Sequence, residues 1–132
     1  MDELEEIRKK KLKELIKMAS SKAAKPVMLN KNNFESFLSQ NENAVVDFYA
    51  DWCMPCRYVS PIIEELAKEL SDRLAFGKLN VDENQEIAAR FGISAIPTLI
   101  FFKKGRPVDQ IVGARPKRDI KAWIERNLEK DL

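Results

Sequence analysis

The sequence contains no histidine among its 132 residues, and it contains only two cysteines. Without histidine, the chain lacks the commonest general base and the commonest metal ligand in proteins. Two cysteines are too few for the disulfide scaffold of a small secreted domain. The 23 Lys and Arg nearly balance the 21 Asp and Glu, and the resulting net charge of +2 gives no strong attraction to nucleic acid or anionic lipid.

Long apolar runs are also missing. No window approaches the roughly 18 apolar residues that a membrane span needs, and the basic run from Arg8 to Lys11 is not followed by an apolar stretch of signal-peptide length. We therefore expect a cytoplasmic protein, in a reducing compartment where a close cysteine pair is more often catalytic than structural. The composition, 45% hydrophobic and 33% charged, is typical of one globular domain.

The two cysteines, Cys53 and Cys56, form a C-x-x-C motif within the stretch Asp51–Arg57. Here the apolar run 44–50 changes to helical spacing, so the two thiols should lie one helical turn apart. Such a pair can close into a disulfide and reopen, which makes dithiol–disulfide chemistry the leading hypothesis. The alternatives are a zinc half-site, although zinc needs four ligands, and inert packing.

The hydrophobic periodicity predicts the order β-α-β-α-β-α-β-β-α behind an N-terminal helix. The early β-α-β units favour parallel pairing, and the tight turn Lys103–Arg106 makes the last two strands antiparallel. We therefore predict an α/β fold, a mixed central sheet of about five strands with helices on both faces. The predicted strands cover 27–29, 44–50, 75–81, 97–102 and 107–112, and the later helices cover 55–70, 84–91 and 116–128.

Residues 2 to about 22 have the pattern of an amphipathic helix and are followed by a short linker. We predict two parts, an N-terminal helix and linker over 1–25 and a domain over 26–132. The simplest interpretation is a solvated helix whose apolar stripe packs on the domain or on a second copy. The alternative is a surface for anionic lipid, nucleic acid or a specific partner.

Five segments carry a family resemblance, and they occur in the expected order. From about Val27 to Leu128 the chain resembles thioredoxin and is identified as a member of the thioredoxin family with an N-terminal helical extension. The segments are Val46–Cys56, Ser60–Pro61, Lys78–Asp82, Ile96–Thr98 and Val112–Ala114.

The resemblance implies a thioredoxin fold and a protein-disulfide reductase that needs no cofactor beyond its own redox-active disulfide. It implies protein substrates that contain disulfides, and an electron donor of the thioredoxin reductase type. We expect a monomer that binds neither nucleic acid nor membrane. The competing functions are a disulfide oxidase or isomerase, and an interaction module that acts through the N-terminal helix.

Cys53 is the expected nucleophile, because it precedes the helix whose free N–H groups and dipole favour a thiolate. The dipole contributes up to roughly 2 kcal/mol, which brings a thiol pKa of about 8.5 close to neutral. Cys56, one turn further on, is the expected resolving thiol, which breaks the mixed disulfide.

Asp47 and Lys78 are expected to assist. Asp47 is an acid inside an apolar strand, so burial should raise its pKa. The resemblance implies that it lies behind Cys56 and takes the proton of that thiol, and that Lys78 is its neighbour. The alternatives are a structural acid for Asp47 and a solvated strand end for Lys78.

The substrate site is expected around Cys53. Pro97 resembles the cis-proline of the family, which would leave the backbone of Ile96 free to pair with an extended substrate. A trans proline that begins a strand is the alternative for Pro97, and a core position is the alternative for Trp52. Met54 replaces the glycine usual in the family, and since it adds no charge we expect reducing character to be retained. The expected surface patch comprises Trp52, Met54, Pro55, Ile96, Pro97, Gly113 and Ala114.

Overall fold

The computed structural model describes residues 3–12 and 24–130, and residues 3–12 form helix α1. The rest of the predicted N-terminal helix lies outside the described residues. Among those described, no helix has the length and apolar character to cross a bilayer. The other elements are β1 (Val27–Met28), α2 (Phe34–Gln40), β2 (Asn43–Tyr49), α3 (Met54–Glu69), β3 (Ala75–Asn80), α4 (Gln85–Arg90), β4 (Thr98–Lys103), β5 (Arg106–Val112) and α5 (Lys117–Glu129).

The strands form a mixed sheet in the order β1-β3-β2-β4-β5, which confirms the predicted fold class. β2 lies in the centre, parallel to β3 and antiparallel to β4. The β4–β5 hairpin turns at Lys104 and Gly105, whose φ angles are 51° and 80°. Positive φ at both central residues suits a tight hairpin turn, because it matches the twist of the strands.

Each face of the sheet carries its own hydrophobic core. On one face, residues of α3 and α5 such as Ile63 and Ile124 pack with Val45 of β2. On the other face, residues of α2 such as Phe34 pack with Phe48 of β2. Because side chains alternate along a strand, Asp47 shares the face of Val45, under α3.

Helix α3 places the C-x-x-C motif at its N-terminus. Cys53 is the N-cap residue, and its sulfur accepts a hydrogen bond from the backbone N–H of Cys56. A proline lies in the first turn, where its missing N–H costs no helical hydrogen bond. The helix begins at Met54, one residue earlier than the spacing predicts.

Candidate active site

The two cysteines lie together at the N-terminus of α3, opposite the loop that precedes β4. They form a disulfide with a Cα–Cα distance of 5.3 Å. Both are buried, with exposed fractions of 4% for Cys53 and 2% for Cys56. The backbone N–H of Cys56 points at the sulfur of Cys53 at 3.3 Å, so the positive end of the α3 dipole acts directly on that sulfur.

The loop opposite the cysteines is formed by Ile96 and Pro97. The peptide bond between them is cis, the geometry that the family resemblance implies, and the carbonyl oxygen of Ile96 lies 3.9 Å from the sulfur of Cys53. Pro97 is buried, so it contributes no exposed surface to the expected patch. The backbone N–H of Gly113 donates to the carbonyl of Pro97 at 2.8 Å, which brings Gly113 and Ala114 to the same edge.

Exposed apolar side chains surround the buried cysteines. Trp52 and Met54 are each 68% exposed, and Pro55 is exposed as well. The core position considered for Trp52 is therefore wrong. Its indole N–H donates to a carboxylate oxygen of Asp82 at 2.8 Å, a contact that sequence reasoning missed because 30 residues separate the two. Large exposed apolar groups next to a reactive centre are typical of a binding surface.

Arg57 fixes the loop that leads into the motif. Its guanidinium donates two hydrogen bonds to the backbone oxygen of Asp51, at 3.0 and 3.3 Å. The same guanidinium lies 3.9 Å from the sulfur of Met54. Met54, which replaces the glycine usual in the family, thus contacts Arg57, although its side chain is largely exposed to solvent.

Asp47 is completely buried under α3. Neither of its carboxylate oxygens has a hydrogen-bond partner within residues 3–12 and 24–130. Burial raises the pKa of Asp47 to about 7, against the opposing effect of the positive charge of Lys78. β2 is the central strand of the sheet, so Asp47 does not lie at a strand edge. A group with this pKa can accept and release protons near neutral pH.

Lys78 lies directly opposite Asp47 in the pairing of β2 with β3. Its ammonium donates to the hydroxyl of Ser60 at 2.5 Å and lies 4.7 Å from the centre of the Tyr49 ring. These contacts are not those of a solvated strand end. Sequence reasoning assigned no role to Ser60, although it follows Cys56 by four residues and so shares a face of α3 with that thiol.

A close cysteine pair at a helix N-terminus, set against a cis-proline loop, defines the class of thiol–disulfide exchange proteins. Within the described ranges, no group of three or more Cys, Asp or Glu is arranged to hold a metal ion.

The comparisons with known proteins agree with this class. The family described as Thioredoxin matches residues 25–126. A thioredoxin from Alicyclobacillus acidocaldarius is 47% identical over 92 residues, 70% of this chain and 88% of that protein. The chloroplastic M-type thioredoxin of Spinacia oleracea is 43% identical over 111 residues, 83% of this chain and 61% of that protein.

Among solved structures, a mutant thioredoxin from Halobacterium salinarum NRC-1 aligns with a TM-score of 0.76 and 34% identity, over 83% of this chain and 96% of that one. The chain therefore belongs to the thioredoxin family. It is a thiol–disulfide oxidoreductase that acts as a disulfide reductase through the Cys53–Cys56 pair.

Proposed function

We propose that the protein reduces disulfides of other proteins in two exchange steps, with Cys53 as nucleophile and Cys56 as resolving thiol. The thiolate of Cys53 attacks one substrate sulfur, and the other substrate sulfur leaves as a thiolate that takes up a proton. Cys56, once deprotonated, attacks the sulfur of Cys53 and expels the second substrate thiol. The products are two substrate thiols and the Cys53–Cys56 disulfide.

The observation that carries this proposal is the position of the disulfide at the N-terminus of α3. The N–H group of Cys56 points at the Cys53 sulfur, whereas Cys56 itself lies within the first turn of the helix. Donors and a dipole at the first sulfur stabilise its thiolate. The roles of the two cysteines therefore differ because their places in the helix differ.

Asp47 is the proposed acceptor for the proton of Cys56, directly or through a bridging water molecule. It lies on the face of β2 that α3 covers, and α3 carries Cys56. Its pKa of about 7 keeps both protonation states populated at neutral pH. Lys78, directly opposite in the sheet, favours the ionised state that takes the proton.

The proposed substrate surface is the exposed patch formed by Trp52, Met54, Pro55 and Ala114, together with Ile96 and Gly113. An extended substrate segment would pair with the backbone of Ile96, next to the Cys53 sulfur. The apolar side chains would contact residues that flank the substrate disulfide. Pro97 would hold the loop in place beneath this segment.

The wider setting completes the proposal. After each cycle the Cys53–Cys56 disulfide must be reduced again, and we assign this step to an electron donor of the thioredoxin reductase type. No further cofactor is needed, because both electrons pass between sulfur atoms. We place a monomeric protein in the cytoplasm, whereas the spinach relative is named as chloroplastic. Residues 26–132 would carry the activity, and 1–25 would be an appendage.

Reduction of insulin by dithiothreitol tests the enzyme. The wild type should accelerate the precipitation of insulin chains, and Cys53→Ser should reduce the rate to that of dithiothreitol alone. Equal rates with both proteins would refute the role of Cys53. The reduction potential of the pair should lie near the roughly −270 mV of thioredoxin, whereas a value near about −120 mV would indicate an oxidase.

A further inference from the structure

A small polar cluster interrupts the apolar contact between α3 and the sheet. It consists of Asp47 and Tyr49 on β2, Lys78 on β3 and Ser60 on α3. The proposed function uses Asp47 and Lys78 but leaves Ser60 without a role. We propose that Ser60 is a positioning residue, whose hydroxyl holds the ammonium of Lys78 beside the buried carboxyl of Asp47; this inference rests on the proposed role of Asp47.

The geometry assigns the ammonium group two contacts. The first is the hydrogen bond to the Ser60 hydroxyl at 2.5 Å, and the second is the ring of Tyr49, 4.7 Å from ring centre to nitrogen. A lysine has a long flexible side chain that takes up a defined position only where such contacts hold it. The ring attracts the cation over its whole face, whereas the hydroxyl fixes a point. Ser60 therefore decides where the charge lies.

The side chain of Lys78 also borders a groove that could hold its ammonium group in a second position. Met28, Glu64 and Lys68 line the same groove, and all three are exposed. A partly buried ammonium group gives up part of its hydration, which a hydrogen bond must replace. Without the Ser60 hydroxyl, we expect the ammonium to move into this groove, where water and the Glu64 carboxylate can surround it. The distance to Asp47 would then increase.

The electrostatic consequence follows from the groups that surround Asp47. Burial raises its pKa, and the charge of Lys78 opposes this rise, so displacement of the charge must raise the pKa further. Among the described residues, Lys78 is the cation that lowers the pKa of this carboxyl. Other titratable or charged groups surround the cluster, in which Tyr49 is itself titratable. On the α3 side they are Cys53, Cys56, Glu64 and Lys68. Asp51 and Glu83 lie near Tyr49, and Lys25 lies at the groove.

Three variants test the proposal in the oxidised protein, in which the cysteines do not titrate. The ionisation of Asp47 is followed directly by NMR of its side-chain carboxyl carbon. In Lys78→Met, the ionisation constant should fall about tenfold or more, as expected for loss of a close opposite charge. Ser60→Ala should move it in the same direction by roughly threefold or more. Ser60→Thr restores the hydroxyl and should keep the wild-type titration.

An unchanged or strengthened acidity of Asp47 in Ser60→Ala would overturn the proposal. Equal shifts in Ser60→Ala and Ser60→Thr would also overturn it, because they would indicate a packing effect in place of a hydrogen bond. Thermal unfolding of each variant verifies that it is folded. These readouts do not depend on activity.

A second measurement separates this inference from the proposed function. The reduced protein is mixed with a substrate disulfide, so that a mixed disulfide forms at Cys53. The release of the second substrate thiol, which attack by Cys56 causes, is then followed in single turnovers across pH. In Ser60→Ala, the acid limb of this profile should move to higher pH together with the Asp47 titration. If the titration moves and the profile does not, Ser60 positions Lys78 as proposed, and Asp47 is not the proton acceptor.

Discussion

Replacement of Asp47 by Asn should stabilise the protein, and the gain should increase with pH. The carboxyl is buried, has no hydrogen-bond partner among the described residues and has a pKa raised from 3.8 to about 7. Asn has nearly the same shape but carries no charge, so it avoids the cost of ionising a buried group. The difference in unfolding free energy between the two proteins therefore measures the cost of ionising the buried carboxyl of Asp47.

The sign and size of the effect follow from proton linkage. Between the two pKa values the folded state binds a proton that the unfolded state has lost, so the free energy of unfolding falls as pH rises through this window. The loss levels off above the folded pKa. With pKa values of 3.8 and about 7, the wild type should lose about 3 kcal/mol between about pH 5 and about pH 8.5, relative to Asp47→Asn.

Guanidinium unfolding of the oxidised proteins at these two pH values measures the difference. The absence of histidine simplifies the experiment, because no imidazole titrates in this range. Asp72→Asn is a matched control, since it makes the same chemical change at an exposed position and should leave the pH dependence of stability unaltered. Parallel stability curves for wild type and Asp47→Asn across this range would refute the assignment of a buried, destabilised carboxyl.

Four further outcomes are expected. Cys56→Ser should accumulate a covalent mixed disulfide with substrate on non-reducing gels, and absence of the adduct would contradict the resolving role. Deletion of residues 1–22 should leave insulin reduction largely intact; a large loss would show that this segment contributes. Phe101→Ala, which removes a completely buried ring, should lower the unfolding free energy by roughly 3–5 kcal/mol in denaturant titrations. Gly77→Ala should cost roughly 1–3 kcal/mol, because a Cβ there would lie 2.4 Å from Leu29 Cδ1; an unchanged midpoint would contradict this.

Several features of the site were accessible from the sequence because each depends on local chemistry. The C-x-x-C spacing places two thiols on one helical turn, and the change from apolar run to helical spacing places Cys53 at a helix N-terminus. Asp47 was recognisable because burying a carboxylate in an apolar strand costs free energy unless the group is paired or protonated. The strand and helix order was predictable for the same reason, since periodicity reflects local burial.

Contacts between distant segments were not accessible in this way. Ser60 and Lys78 are 18 residues apart and meet only because α3 crosses over β3. The hydrogen bond from Trp52 to Asp82 and the burial of Pro97 likewise depend on how loops from separate strands pack together. No local pattern encodes such neighbours, because they result from sheet register and helix placement.

By itself, the sequence determined the redox pair, the order of the elements and the one acid that local burial makes costly, because these depend on spacing and side-chain chemistry. Only the tertiary structure decided how the pair is surrounded: the carbonyl of Ile96 at the Cys53 sulfur, the exposed patch, and the ammonium of Lys78 held by Ser60. The physical reason is that electrostatic influence and substrate access depend on distances through space, and folding sets those distances between residues that the chain keeps apart.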